Sequence, residues 1–124
     1  MSSEIDSLPV INLIREYSPT RVIIGSQTFY DSFIITSDVI SPWARKNRSS
    51  LTSSDLLLLL TLDVDFLLVG TGATQEIPNV SVYRAFVEKG MAIEFMDSPA
   101  ACRTYNILAG EERRVGAGIT LPIG

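Results

Sequence analysis

Apolar and polar residues alternate in runs that predict strands in the first third of the chain. Two β-branched segments, residues 21–25 and 33–37, are separated by polar residues at 26–27 and by a turn at 30–32. Apolar runs bounded by turn residues in this way are typical of strands. We therefore expect a β meander that ends at Pro42.

The next apolar run predicts a helix over residues 53–62. Residues 52–55 read as a capping box in which aspartate replaces the usual glutamate, and five consecutive leucines follow. At 100° per residue the leucines divide into two nearly opposite stripes. Leu58 and Leu62 lie on one stripe and Leu56, Leu59 and Leu60 on the other. A helix that is apolar on both sides must be covered on both, by the rest of the domain or by another chain. We interpret Leu58 and Leu62 as the candidate interface.

Helices and strands alternate through the second half of the chain. Residues 65–69 form a continuous apolar run, which predicts a strand buried on both faces. A helix over 78–89, a strand over 91–96, a helix over 98–110 and a glycine-rich strand over 115–121 follow. This order favours βαβ crossovers and a parallel or mixed sheet between helices. One face of the last strand is nearly bare, so a helix is expected to approach it closely.

The composition describes one core-rich domain. Among 124 residues, 46% are hydrophobic and 19% are charged, which is enough apolar material for a single packed core. We expect a single α/β domain over residues 9–124 after a flexible N-terminus at 1–8. The longest apolar runs are far shorter than the roughly 18 residues of a membrane span, so no membrane span is expected.

Charge and residue usage exclude several classes of chemistry. The formal net charge is −4, and the chain contains no histidine and one cysteine, Cys102. The acidic balance argues against nucleic-acid binding, and Arg45, Lys46 and Arg48 are interpreted as a solvated loop. Without histidine, histidine triads and histidine zinc sites are excluded, and we expect no metal and no cofactor. A lone cysteine fits a reducing compartment, so the chain is expected to be cytoplasmic, and the helical arc of Cys102 predicts an inert, buried thiol.

A candidate ligand crevice follows the predicted central strand. Gly70, Thr71 and Gly72 lie where open α/β sheets bind ligands, and Asp97 and Ser98 follow the neighbouring strand. This edge suits a small polar ligand or the terminus of a partner chain better than a nucleotide, whose phosphates Asp97 would repel. A G-x-G pattern without a third glycine is weak, and plain turn glycines are the commoner explanation.

Two polar residues of the following helix complete the candidate site. Arg103 is expected to reach the crevice, and it shares the stripe opposite the core face with Asn106. This pair could bind a carboxylate or a partner protein. A solvated helix face is the default alternative.

Several motifs resemble the family that contains the mitochondrial complex I assembly factor 3 and an adipogenesis-associated protein. The most specific is Ala-Cys-Arg-Thr-Tyr-Asn at 101–106 within the segment 100–108. In chain order, the other matching segments are 24–25, 30–32, 41–43, 51–52, 55–56, 66–72, 91–97 and 112–115. The family also has bacterial and archaeal members of unknown function.

The resemblance implies a three-layer α/β fold with a mixed five-stranded central sheet, flanking helices and an extra small β layer. It also implies no known catalytic activity, because the eukaryotic branch acts by binding other proteins. Asp31 and Asp38 stand where many relatives have glycine. Residues 1–7 lack the pattern of a mitochondrial presequence, so that branch's role is not expected to apply whole.

The sequence leaves two functions open. The first is a non-enzymatic protein-interaction or assembly module with a protein partner, itself a monomer or weak homo-oligomer. The alternative is a small-molecule-binding protein or minor enzyme that uses the crevice at Gly70, Thr71, Gly72 and Asp97.

Overall fold

The computed structural model describes residues 11–45 and 50–123. The expected flexible segment, residues 1–8, and two members of the basic run, Lys46 and Arg48, lie outside this part of the chain. The first strands form a small antiparallel sheet in the order β1-β2-β3. Its strands are β1 (Ile14–Tyr17), β2 (Val22–Ile24) and β3 (Gln27–Phe29).

The larger sheet is mixed and has five strands in the order β5-β4-β8-β6-β7. Its central strand β8 pairs in parallel with β6 and antiparallel with β4, while β7 forms one edge beside β6. The fold class implied by the family resemblance is thereby confirmed. The strands are β4 (Phe33–Thr36), β5 (Ile40–Pro42), β6 (Phe66–Gly70), β7 (Ala92–Met96) and β8 (Val115–Ile119).

Within residues 11–45 and 50–123, three α-helices follow the expected alternation: α1 (Ser53–Leu56), α2 (Val80–Lys89) and α3 (Ser98–Gly110). Because side chains alternate along a strand, β6 contributes residues to two cores, one on each face of the sheet. Leu68 packs with α3 and the small sheet, whereas Leu67 and Val69 pack with Trp43 and α2. The small sheet packs on the same face of the large sheet as α3, where Ile14, Val22 and Ile24 share a core with Phe33 and Ile35 of β4.

The expected β meander is correct only for the small sheet. The strand predicted at 33–37 belongs instead to the large sheet, where β4 pairs with β5 and β8. Arg45 is also packed rather than solvated: its guanidinium lies 5.5 Å from the centre of the Trp43 ring and donates to the Thr120 hydroxyl at 2.6 Å. The charged head therefore finds both an aromatic face and an acceptor within the fold.

The single helix expected over 53–62 is wrong. The capping box is present, with the Asp55 N–H donating to the Thr52 hydroxyl and the Thr52 N–H to the Asp55 carboxylate. However, α1 ends at Leu56 and a 3-10 turn, Leu58–Thr61, follows. Such a turn advances about 120° per residue, so the leucine stripes of an α-helix are not preserved.

The glycine face of β8 explains how Leu59 and Leu62 pack. A Cβ on Gly118 would lie 3.0 Å from the Trp43 ring and 3.2 Å from Leu59, and one on Gly116 would lie 3.2 Å from Leu62. The close approach is confirmed, but the expectation that a helix makes it is wrong, because Trp43, Leu59 of the 3-10 turn and Leu62 cover this strand. Leu62, in extended backbone after the turn, packs against the core, so the prediction that it shares a surface with Leu58 is wrong.

Candidate functional site

The five residues predicted at the carboxyl ends of β6 and β7 do come together. Ser98 is fully buried, and its hydroxyl accepts from the Gly72 N–H and donates to the Thr120 carbonyl, both at 2.9 Å. Its own N–H donates to the Gly72 carbonyl at 2.8 Å. A Cβ added to Gly70 would lie 3.0 Å from the Ser98 Cα. The space between the strand ends is therefore filled by Ser98, and the glycine is needed for this close contact.

Thr71 and Asp97 are also used within the fold. The Thr71 hydroxyl donates to the Thr74 carbonyl at 2.6 Å and accepts from the Glu76 N–H at 3.1 Å. Asp97, not Ser98, caps α3: its carboxylate accepts from the Ala100 N–H at 2.7 Å. The Thr71 and Ser98 hydroxyls and the Asp97 carboxylate all have partners inside the protein, so these residues form a tight turn and not an open cleft.

The structure places Arg103 and Asn106 beside β1, where both side chains form hydrogen bonds. The Asn106 side-chain amide accepts from the Ile14 N–H at 2.8 Å and donates to the Ile14 carbonyl at 2.7 Å. The Arg103 guanidinium donates to the Tyr17 hydroxyl at 2.9 Å. The Asn106 amide thus takes the place of a neighbouring strand along the edge of β1.

Two further residues of the same motif face the core. The Tyr105 hydroxyl donates to the Asn12 carbonyl at 2.8 Å, and burial, with a smaller effect of the Asp38 carboxylate, raises the pKa of this phenol. Cys102 is 1% exposed, as predicted, and burial raises the pKa of its thiol to about 12. The motif at 101–106 therefore anchors the small sheet to α3, and its thiol is not activated.

An exposed apolar surface lies on the opposite face of the large sheet. Leu57 and Leu58 are 63% and 49% exposed. They border an open depression of about 480 Å³ whose other walls are Trp43, Ala44, Ser54, Asp55 and Thr61. We call Leu57, Leu58 and this depression the leucine turn. Sequence reasoning missed Leu57 because helical periodicity placed it on neither stripe.

The described residues offer few other reactive groups. Within them, no group of three or more cysteine, aspartate or glutamate side chains is placed to hold a metal ion. None of the helices in this part of the chain is both long and apolar enough to cross a membrane.

The comparisons with known proteins agree on one family. The family described as "Protein of unknown function (DUF498/DUF598)" matches residues 14–120. The NADH dehydrogenase (ubiquinone) 1 alpha subcomplex assembly factor 3 of Danio rerio is 31% identical over 112 residues, which cover 89% of this chain but 64% of that protein. A "13 kDa major membrane protein" of Francisella tularensis is 29% identical over 103 residues, 82% of this chain and 84% of its own length.

Solved structures show the same fold. A crystal structure of a Bordetella parapertussis protein superposes with a TM-score of 0.82 at 27% identity, covering 90% of this chain and 96% of that one. A solution structure of a Bordetella pertussis protein, described as a Mth938-like domain, gives a TM-score of 0.80 at 26% identity over 96% and 90% of the two chains.

Proposed function

The chain belongs to the DUF498/DUF598 family, whose relatives include complex I assembly factor 3, and from this premise we propose that it is a non-enzymatic protein-binding module. The observation that carries the proposal is the leucine turn. Two adjacent leucines in water, beside a depression walled by Trp43, are a surface that a protein partner would cover with a gain in free energy.

The contrast with the crevice supports the same conclusion. Ser98 occupies the space between the ends of β6 and β7, so a small ligand would have to displace buried hydrogen bonds to enter. At the leucine turn, by contrast, an apolar side chain of a partner would enter a space that is already open. The proposed partner is therefore a protein that presents an aliphatic or aromatic side chain.

The proposal includes a cytoplasmic location and a monomer or weak homo-oligomer in the absence of the partner. The location is supported by the chain's one cysteine, which is buried and free. Fractionation of the source cells, followed by detection of the chain in each fraction, tests the location. Recovery with the membrane fraction after a high-salt wash would contradict it.

The experiment that tests the function compares two matched double variants. Leu57→Ser with Leu58→Ser removes the apolar surface, whereas Val87→Ser with Ile107→Ser changes two equally exposed apolar side chains elsewhere. Each protein is used as bait in a lysate of its source cells, and bound proteins are quantified by mass spectrometry. We expect a partner that the wild-type and control baits retain and the leucine variant loses.

Folding and self-association are measured in parallel. Both variants should melt within a few degrees of the wild type, because exposed side chains contribute little to stability. Light scattering separates a partner from a second copy of the chain. Equal capture by all three baits, or no specific capture by the wild type, would contradict the proposal.

A further inference from the structure

The outer edge of the large sheet presents backbone groups without a partner. Met96 directs its carbonyl to β6, where it accepts from the Thr71 N–H at 2.8 Å. The N–H and C=O groups of successive residues point to opposite sides of a strand. Ile93 and Phe95 therefore direct their N–H and C=O groups away from β6. The Ile93 N–H and carbonyl and the Phe95 N–H bond no described residue.

The Gln75 side chain already bonds the remaining outward group of this edge, the Phe95 carbonyl. The Gln75 amide donates to the outward Phe95 carbonyl at 2.9 Å, as the N–H of an added strand would. A depression of about 230 Å³ adjoins the free groups, with walls from Gln75, Ile77, Tyr83, Ile93, Glu94 and Phe95. Ile77, on its rim, is 66% exposed. The edge therefore combines three free hydrogen-bonding groups with a space for a side chain.

We propose that the β7 edge binds an extended peptide segment of a partner protein, in which apolar residues alternate with lysine or arginine. Residues of an added strand opposite Ile93 and Phe95 would lie on the α2 side of the sheet, next to the depression. The residue between them would lie on the other side, opposite the exposed Glu94. Apolar side chains suit the positions opposite Ile93 and Phe95, and a cation suits the position opposite Glu94.

Charge decides between such a partner and a second copy of this chain. If β7 paired with its own copy so that Ile93 faced Phe95 of that copy, the two Glu94 carboxylates would stand directly opposite each other. Like charges at directly opposite positions destabilise a strand pair. A basic strand meets the same carboxylate with opposite charge, so it is the favoured occupant.

This inference rests on the protein-binding function but not on the leucine turn. The probe is acetyl-Lys-Val-Lys-Val-Lys-amide, with acetyl-Glu-Val-Glu-Val-Glu-amide as its charge-reversed control. Binding is followed by amide chemical shifts and hydrogen exchange of the full chain. We expect the lysine peptide alone to shift and protect the amides of Ile93 and Phe95.

Two variants test the geometry. Glu94→Lys should reverse the preference between the two peptides, and Glu111→Lys, the same charge change at the end of α3, should leave it unchanged. Ile93→Pro removes one outward N–H and no bond to β6, and it should weaken the lysine peptide about tenfold. Because Glu94 is exposed, its variant remains informative even if Ile93→Pro unfolds the chain.

The outcomes separate the two proposals. The paired leucine-turn variant should bind the lysine peptide as the wild type does, so loss of a lysate partner would not affect this test. The edge proposal is overturned if the lysine peptide leaves the Ile93 and Phe95 amides unperturbed at millimolar concentration. It is equally overturned if Glu94→Lys leaves the peptide preference unchanged.

Discussion

Single polar side chains of α3 decide how the small sheet is held. Asn106 satisfies both backbone groups of Ile14, and Tyr105 and Arg103 bond Asn12 and Tyr17. An amide is suited to this position because it offers one donor and one acceptor in the geometry of a peptide group. The motif at 101–106 thus has a structural explanation that does not depend on a ligand.

Asn106→Ala should destabilise the fold by about 1–3 kcal/mol, because it leaves two backbone groups of β1 without a partner. Ile107→Ala is the control, since the neighbouring side chain is exposed and bonds nothing. Chemical denaturation of both variants measures the difference. Equal midpoints for the two would show that water replaces the amide without loss.

Cys102 should resist alkylation in the native protein. With its pKa raised to about 12 by burial, only about one thiol in ten thousand is ionised at pH 8, and the reactive species is the thiolate. The native rate of maleimide labelling should therefore stay low between pH 7 and 9 and rise sharply in denaturant. Native labelling as fast as labelling in denaturant would contradict burial of the thiol.

The pKa of Cys102 also fixes the direction of its contribution to stability. The neutral thiol is favoured in the folded protein, since burial raises the folded pKa above the ordinary value of 9.0. Its contribution is complete below pH 9 and is lost as pH rises toward about 12.

Among the elements, those with strong local signals could be predicted from the sequence. The bounds of α3 follow from Pro99 near its start and Gly110 at its end, although the choice between Asp97 and Ser98 as cap needed the backbone geometry. The strands β1 and β3 are short, and they exist because β2 lies between them. Such pairing depends on residues distant in sequence, so local patterns do not reveal it.

The leucine segment shows a second limit of local reasoning. Its composition favours a helix, but Trp43 and Leu59 must both reach the bare face of β8 at Gly118. Packing against that strand favours a 3-10 turn over a continuous helix. The same limit applies to the candidate site. The pattern placed Arg103 and Asn106 on one stripe of α3 but did not reveal that their side chains bond to β1.

The junction of β6 with α3 predicts a contrast between two glycines. Gly70→Ala places a Cβ 3.0 Å from the Ser98 backbone, so it should cost about 1–3 kcal/mol through displacement of the helix start. Gly110→Ala meets nothing within 4 Å at the end of α3, and it should be neutral or gain up to about 1 kcal/mol. Thermal unfolding of the two variants measures both effects. A neutral Gly70→Ala would mean that the junction is looser than its distances indicate.

At the scale of the whole molecule, the two sheets leave different surfaces for partners. The face with α3 is covered by the small sheet, whereas the leucine turn and the β7 edge stay open on the rest of the large sheet. The carboxyl ends of the parallel strands, where α/β folds commonly bind nucleotides, are closed by Ser98 and Thr120. The strand ends themselves therefore offer no open space beside Gly70 for a ligand.

This arrangement predicts that nucleotides do not stabilise the protein. A ligand at one hundred times its Kd adds about 2.7 kcal/mol, which for a domain of this size raises the melting temperature by roughly 10 °C. We expect no rise with 1 mM ATP or NAD, because Ser98 fills the space beside Gly70 and the Asp97 carboxylate lies at the start of α3. Inorganic phosphate at the same concentration controls for general effects of anions. A saturable rise with either nucleotide, absent with phosphate, would show that the turn after β6 opens to admit a ligand.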